Sequence, residues 1–267
     1  HKTLPSLTQT ALLHMNGSLV DRERVHMYLD ILQSSSPSYV LMASLDECVR
    51  LMKEKRDETF GRYVDMLQRT REQLKDLEHL SLWESSDYDR SKLLISTAGC
   101  IENRGEIKKY TGKQLYEQLR RKYFLQLEMS TPDYAIAMTA PGDTEKGMDR
   151  LTEALKEIDS KLAEDTKNEL NHAKMRDDGD QLYENVQIYS SGEINKLRNK
   201  RKRISLDACA GYVSTEYAYT YPPGIPLIVP GEQISEKIMD QIAEYQEAGF
   251  DIRGIRETGR IEVLDNG

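Results

Sequence analysis

Long apolar runs are missing from this 267-residue chain. None reaches the roughly 18 residues that a membrane-spanning helix needs, so no transmembrane segment is expected. Cysteine is scarce. Cys48, Cys100 and Cys209 are widely spaced and form no CxxC pair, which argues against a zinc site or a disulfide framework. They read instead as three small buried hydrophobes in a reducing compartment. His14, His26, His79 and His172 show no metal-ligand spacing. No self-similarity appears at a period of about 20–50 residues, which excludes solenoids and propellers. A charged-then-apolar leader is also lacking, and His1 stands where a start methionine is usual; this reads as an incomplete, cytoplasmic chain.

What is present is a soluble, globular composition, 38% hydrophobic and 31% charged. The length allows roughly two domains of about 100–200 residues each. A net charge of -8 opposes a global nucleic-acid footprint. The one basic run, 196–203 (KLRNKRKR), reads as a solvated surface or helix end. Phosphate or RNA contact is the other reading, but no interleaved aromatics support it.

Asp21 stands as an N-cap before Val25, Tyr28, Leu29 and Leu32, which predicts a helix over 21–33. After a serine-rich turn with Pro37, a long helical pattern runs from Tyr39 to about Leu80, with Gly61 as a possible bend. Leu93–Thr97 reads as a strand. Thr111 caps a helix carrying Leu115, Leu119 and Tyr123. Strands are predicted over 124–129 and 134–139, separated by the turn residues Pro132 and Asp133. Met148, Leu151, Leu155, Ile158 and Leu162 define an amphipathic helix. Residues 163–185 read as a polar linker. A strand over 212–219 precedes the stiff run Tyr221–Pro226, and Leu227–Val229 is apolar. A helix over 235–248 ends at Gly249. Strands near 251–256 and 260–264 close the pattern. This alternation argues an α/β or α+β fold.

The chemistry rests on Lys2. A lysine that bonds an aldehyde cofactor needs a fixed position and an electron sink within reach. His1-Lys2 alone would read as a surface pair. The segment 1–14 (HKTLPSLTQTALLH), however, closely resembles the pyridoxal-phosphate attachment segment of prokaryotic Orn/Lys/Arg decarboxylases. His1-Lys2, Ser6, Thr8-Gln9-Thr10 and Ala11 match that pattern, and Pro5 departs from it. Residues 34–46 (SSSPSYVLMASLD) resemble the family's Ser-Ser-Pro-x-Tyr-x-x-x-Ala-Ser stretch. Residues 211–232 (GYVSTEYAYTYPPGIPLIVPGE) resemble its Tyr-Pro-Pro-Gly and Pro-Gly-Glu region, with Tyr212 in place of the common Arg. Residues 111–145 also fit, so the resemblance spans essentially the whole chain.

The resemblance implies an architecture with three parts. Residues 1–90 would end an aspartate-aminotransferase-like, pyridoxal-phosphate-binding major domain. Residues 91–165 would form a small α+β domain, and 166–267 an α/β C-terminal decarboxylase domain. It also implies decarboxylation of a basic amino acid (arginine, lysine or ornithine) to an amine, in polyamine-related metabolism. Pyridoxal 5'-phosphate would be bonded to Lys2, with His1 near its phosphate. Ser34 and Ser35 would reach the phosphate of the partner subunit's cofactor in a homodimer with shared sites, a higher oligomer being possible; a plain helix-capping role is the alternative. Glu216 and Asp207 are the candidates for meeting the substrate's distal cation, unless they are ordinary surface acids. Glu232 reads as a helix cap or a holder of the Pro-Gly turn. The ring-binding residues would lie upstream of Lys2, so this polypeptide alone is expected not to decarboxylate. Two rival readings are a non-catalytic relative that keeps the fold, and another pyridoxal-phosphate enzyme of the same fold, such as an aminotransferase or lyase.

Overall fold

The computed structural model describes residues 2–103, 107–164, 185–198, 200–221, 224–257 and 259–265. Among them no helix is long and apolar enough to cross a membrane. The fold is mixed α/β, and every described strand pair is antiparallel. Most of the linker expected at 163–185 lies outside the described residues.

Internal contacts divide the chain into two units. One comprises residues up to 72 with 139–149; the other comprises 73–138 with 150–267. In the first, helix α1 (Arg22–Leu32) starts where Asp21 accepts the Arg24 N–H through its side chain, as its N-cap position requires. None of its residues is buried. Helix α2 (Tyr39–Leu74) is the scaffold of this unit. Its inner stripe includes Cys48, Tyr63, Met66 and Leu67. The Tyr63 hydroxyl meets that of Thr139, and Arg62 donates to the Pro141 carbonyl.

The bend in α2 falls at Lys55 (φ -129°, ψ 18°), not at the expected Gly61. Residues 53–58 are six consecutive, exposed charged side chains. Most helical stability comes from a packed face, and this turn has none. Gly61 stays helical. The helix also stops at Leu74, short of the expected Leu80.

The second unit opens with a sheet of order β1-β2-β6-β5, formed by β1 (Ser81–Trp83), β2 (Lys92–Ser96), β6 (Tyr134–Met138) and β5 (Met129–Ser130). Helix α3 (Gly112–Lys122) lies on β5 and β6. It begins with a full capping box between Thr111 and Gln114. Gly112 sits so close to this sheet that an added Cβ would lie 2.1 Å from the Tyr134 carbonyl oxygen. Helix α4 (Glu145–Asp159), whose residues up to 149 count with the first unit, buries Met148, Leu151, Leu155 and Ile158 as its period predicts. A further sheet runs β4-β3-β7, from β3 (Cys100–Asn103), β4 (Ile107–Lys109) and β7 (Ala163–Glu164).

The rest of this unit has its own core. Beyond α5 (Ser191–Lys196), β8 (Arg201–Ser205) pairs with β12 (Arg260–Leu264), and the order β10-β9-β11 joins β9 (Ala218–Thr220), β10 (Ile225–Ile228) and β11 (Ile252–Arg253). Helix α6 (Glu236–Glu247) is capped by Ser235 and followed by Gly249 at φ +80°. It presses Ile238 and Ile242 onto Leu227, Ile228, Ile261 and Val263. Each such aliphatic side chain contributes about 1.5–3 kcal/mol when fully buried.

Several expectations are corrected here. The basic run divides: Lys196 ends helix α5 and is exposed with Arg198 and Lys200, as expected, but the run closes in strand β8, where Arg201 and Arg203 form half-buried ion pairs. The strand expected at 124–129 shrinks to Met129–Ser130, because Phe124 takes φ +56°, outside the β region, and is exposed. The strand expected at 212–219 is regular only from Ala218; before it, Val213 and Ser214 make isolated bridges. All three cysteines are free and buried.

Candidate functional site

The lysine loop is held by hydroxyls. The Ser6 N–H donates to the Leu4 carbonyl (2.8 Å), closing a tight turn behind Pro5. The Ser6 hydroxyl lies 2.8 Å from that of Thr10 and 3.0 Å from that of Ser44 on α2. Thr10 donates to the Leu7 carbonyl at 2.6 Å, and the Leu7 N–H donates to Ser44 Oγ at 3.3 Å. Thr10 is buried, and Gln9 takes φ +72° to complete the reversal. Lys2 is exposed at the start of this loop. His1 lies outside the described residues. An exposed primary amine on a pinned loop has the right chemistry to bond an aldehyde cofactor.

Ser34 and Ser35 are both exposed in the turn after α1. Ser34 Oγ donates to the Ser36 carbonyl and accepts from the Ser36 N–H, each at 3.2 Å. This is a local serine turn. The start of α2 is served by Ser38, whose hydroxyl accepts from the Leu41 N–H. Hydroxyls in such a turn are suitable donors to a phosphate.

In the second unit, Glu216 and Asp207 have different surroundings. Asp207 is exposed in a short 3-10 turn, Leu206–Ala208. Glu216 is buried, its side chain 3% accessible. Its Oε1 lies 3.4 Å from Arg203 and 3.6 Å from Arg256, and its Oε2 accepts from the Glu262 N–H at 3.1 Å. No described contact joins the two acids. Glu262 beside Glu216 is contested: burial pushes its carboxyl up, but the Thr215 hydroxyl, Arg201 and Arg203 outweigh this and hold it below the usual range. Cys209 is pushed up to about 11, first by burial.

Sequence reasoning missed Ser44 and Arg256. Ser44 sits inside a matched segment, next to Ala43, and that position was its only signal. Arg256 had none, because its role depends on where β12 brings the chain.

Two family models match the chain. "Orn/Lys/Arg decarboxylase, major domain" covers residues 1–100, and "Orn/Lys/Arg decarboxylase, C-terminal domain" covers 174–255. An arginine decarboxylase of Bacillus subtilis is 28% identical over 262 residues, covering 95% of this chain and 50% of that protein. One from Halalkalibacterium halodurans is 28% identical over 263 residues, with the same coverage. The chain thus spans about half the length of these curated relatives. Among solved structures, a Francisella novicida lysine decarboxylase superposes with a TM-score of 0.74 at 19% identity, covering 99% of this chain and 48% of that one. The constitutive lysine decarboxylase of E. coli gives 0.71 at 18%, with the same coverage. The two family models together cover more than half of the sequence, with the lysine loop inside the first: the chain belongs to the Orn/Lys/Arg decarboxylase family.

Proposed function

We propose that this chain supplies the cofactor-bonding lysine and the C-terminal domain of a pyridoxal-phosphate-dependent decarboxylase of a basic amino acid. The observation that carries the reading is the loop at Lys2: it lies within the matched major domain and presents an exposed amine from a hydroxyl-pinned turn. Relatives named arginine decarboxylase and solved neighbours named lysine decarboxylase support a basic substrate. When bound, the cofactor supplies the sink for the electron pair left by departing carbon dioxide.

The donor set fits the group. Lys2 would hold its aldehyde carbon, and the same amine could return a proton to the product carbon. His1, which lies outside the described residues, would meet the phosphate, and Ser35, with Ser34 once its hydroxyl leaves the Ser36 carbonyl, would donate to the phosphate of the partner subunit's cofactor in a homodimer. The domains divide near residues 90 and 165, with an aminotransferase-like major domain first. The protein works in the cytoplasm. Of the two candidate acids, Glu216 and Asp207, Glu216 would receive the substrate's distal cation. For Glu216 this requires displacing Arg256, whose side chain is 73% exposed while the carboxylate is not.

The test is covalent. The chain is incubated with pyridoxal phosphate, reduced with borohydride and mapped by peptide mass. A label on Lys2 that Lys2→Ala removes is expected. Labelling of Lys2 no greater than that of the exposed Lys237 refutes the reading. Because the chain spans about half the length of its relatives, carbon dioxide release from arginine, lysine or ornithine is expected only when the further length that those relatives carry is supplied; turnover by the chain alone refutes that part.

A further inference from the structure

We propose that Ser44 of α2 is the positioning residue for Lys2, a role that rests on the function proposed above. The proton accounting of three hydroxyls leads to it. The Ser44 hydroxyl donates to the Leu41 carbonyl at 2.7 Å, so toward the loop it acts only as an acceptor. Thr10 has spent its proton on the Leu7 carbonyl at 2.6 Å. Ser6 therefore holds the one proton left in the trio, and shares it between Thr10 at 2.8 Å and Ser44 at 3.0 Å. The second lone pair of Ser44 takes the Leu7 N–H at 3.3 Å. Ser44 thus accepts from two successive loop residues, Ser6 and Leu7, across 38 and 37 positions of sequence.

Little slack separates this clamp from Lys2. Only Thr3, Leu4 and Pro5 intervene. Pro5 fixes its own φ and restricts Leu4 before it, and the Ser6 N–H closes on the Leu4 carbonyl. Holding the backbone at residues 6 and 7 therefore limits where the amine of Lys2 can be. Ser44 touches no reacting atom in this arrangement; it acts through the loop.

The experiment compares the full chain with its Ser44→Ala and Ser44→Thr variants. Ser44→Ala is expected to speed amide hydrogen exchange at Leu7 and to lower the rate of pyridoxyl labelling at Lys2 about tenfold relative to Lys237, as loss of these hydrogen bonds implies. The urea midpoint of the chain stays near that of the wild type. Ser44→Thr keeps a hydroxyl at a half-exposed position and is expected to restore both readouts. Wild-type exchange at Leu7, or a wild-type labelling ratio, in Ser44→Ala overturns the proposal. The reading of Lys2 as the cofactor lysine fails by a separate result, a wild-type chain with no preference for Lys2 over Lys237.

Discussion

Asp159 closes helix α4, where an acid is at the wrong end of the helix dipole by about 0.3–1 kcal/mol. Its position is explained by three backbone donors. The Glu78 N–H reaches Oδ2 at 2.8 Å; those of His79 and Leu80 reach Oδ1 at 2.9 and 2.7 Å. A net hydrogen bond to a charged group contributes about 1.5–3 kcal/mol, so the three together outweigh the dipole. Asp159→Ala strands all three. The Leu80 amide lies at a buried residue and bears the full desolvation penalty of about 1–3 kcal/mol; the more exposed Glu78 amide recovers water. The expected loss is about 3 kcal/mol.

Asp159→Asn separates the contributions. With its amide oxygen in the Oδ1 position it keeps His79 and Leu80, opposes the Glu78 N–H with its NH2, and relieves the dipole. The expected loss is about 1 kcal/mol. Urea unfolding followed by far-ultraviolet circular dichroism measures both. An Asn variant as damaged as the Ala variant would refute the assignment of two bonds to one oxygen. An Ala variant within about 0.5 kcal/mol of wild type would place Asp159 among ordinary surface residues.

Two further predictions concern the C-terminal core. Gly231→Ala combines a φ of +98° with a Cβ 2.0 Å from the Tyr189 carbonyl oxygen, so the backbone must move; a loss of at least about 2 kcal/mol is expected in the same urea assay, and an unchanged midpoint would contradict the geometry. The carboxyl of Glu262 is held below its ordinary value of 4.5, so its contribution to stability is complete above that pH and fades as pH falls through the lower folded value. The slope of stability against pH in that acid window is expected to be shallower in Glu262→Gln, and an identical slope would refute the linkage.

The sequence revealed elements wherever a local rule acts alone. Asp21 and Thr111 cap their helices because a side-chain acceptor beside free N–H groups needs no tertiary help; at α6 the cap is Ser235 and not the Glu232 that the sequence offered for it. The strand at 260–264 is found where its apolar alternation places it. Failures occur where distant residues decide. The cations of β8 read as surface because Glu216 and Glu262, which pair them, come from elsewhere in the chain. The reversal at Phe124 carries no glycine or asparagine to announce it. At the candidate site the motif pointed to Lys2 and the serine turn, but the clamp on the loop was invisible, since it joins residues 37 and 38 apart.

The matched segments divide by how their polar groups are used. In Pro230-Gly231-Glu232 nearly everything polar is tied to a neighbour. The Gly231 N–H donates to the Ser214 carbonyl, its carbonyl accepts from Ile188 and Tyr189, and Glu232 Oε2 accepts the Val229 N–H at 2.9 Å. Glu232 therefore holds the Pro-Gly turn, while Ser235 caps α6. A residue so engaged can be required by the fold without meeting a ligand. Lys2, Ser34 and Ser35 differ in exposure: all three are exposed, although the Ser34 hydroxyl is bonded within its own turn to Ser36. Glu216 belongs with the first group by its bonding and with the second by its neighbour, since among the described residues Arg256 is the exposed side chain on an otherwise buried carboxylate. That asymmetry is why Glu216, rather than the solvated Asp207, is the acid on which a cationic ligand would compete with a protein cation. It also means that loss of Glu216 must be judged against the stability it removes before any effect on substrate is assigned to it.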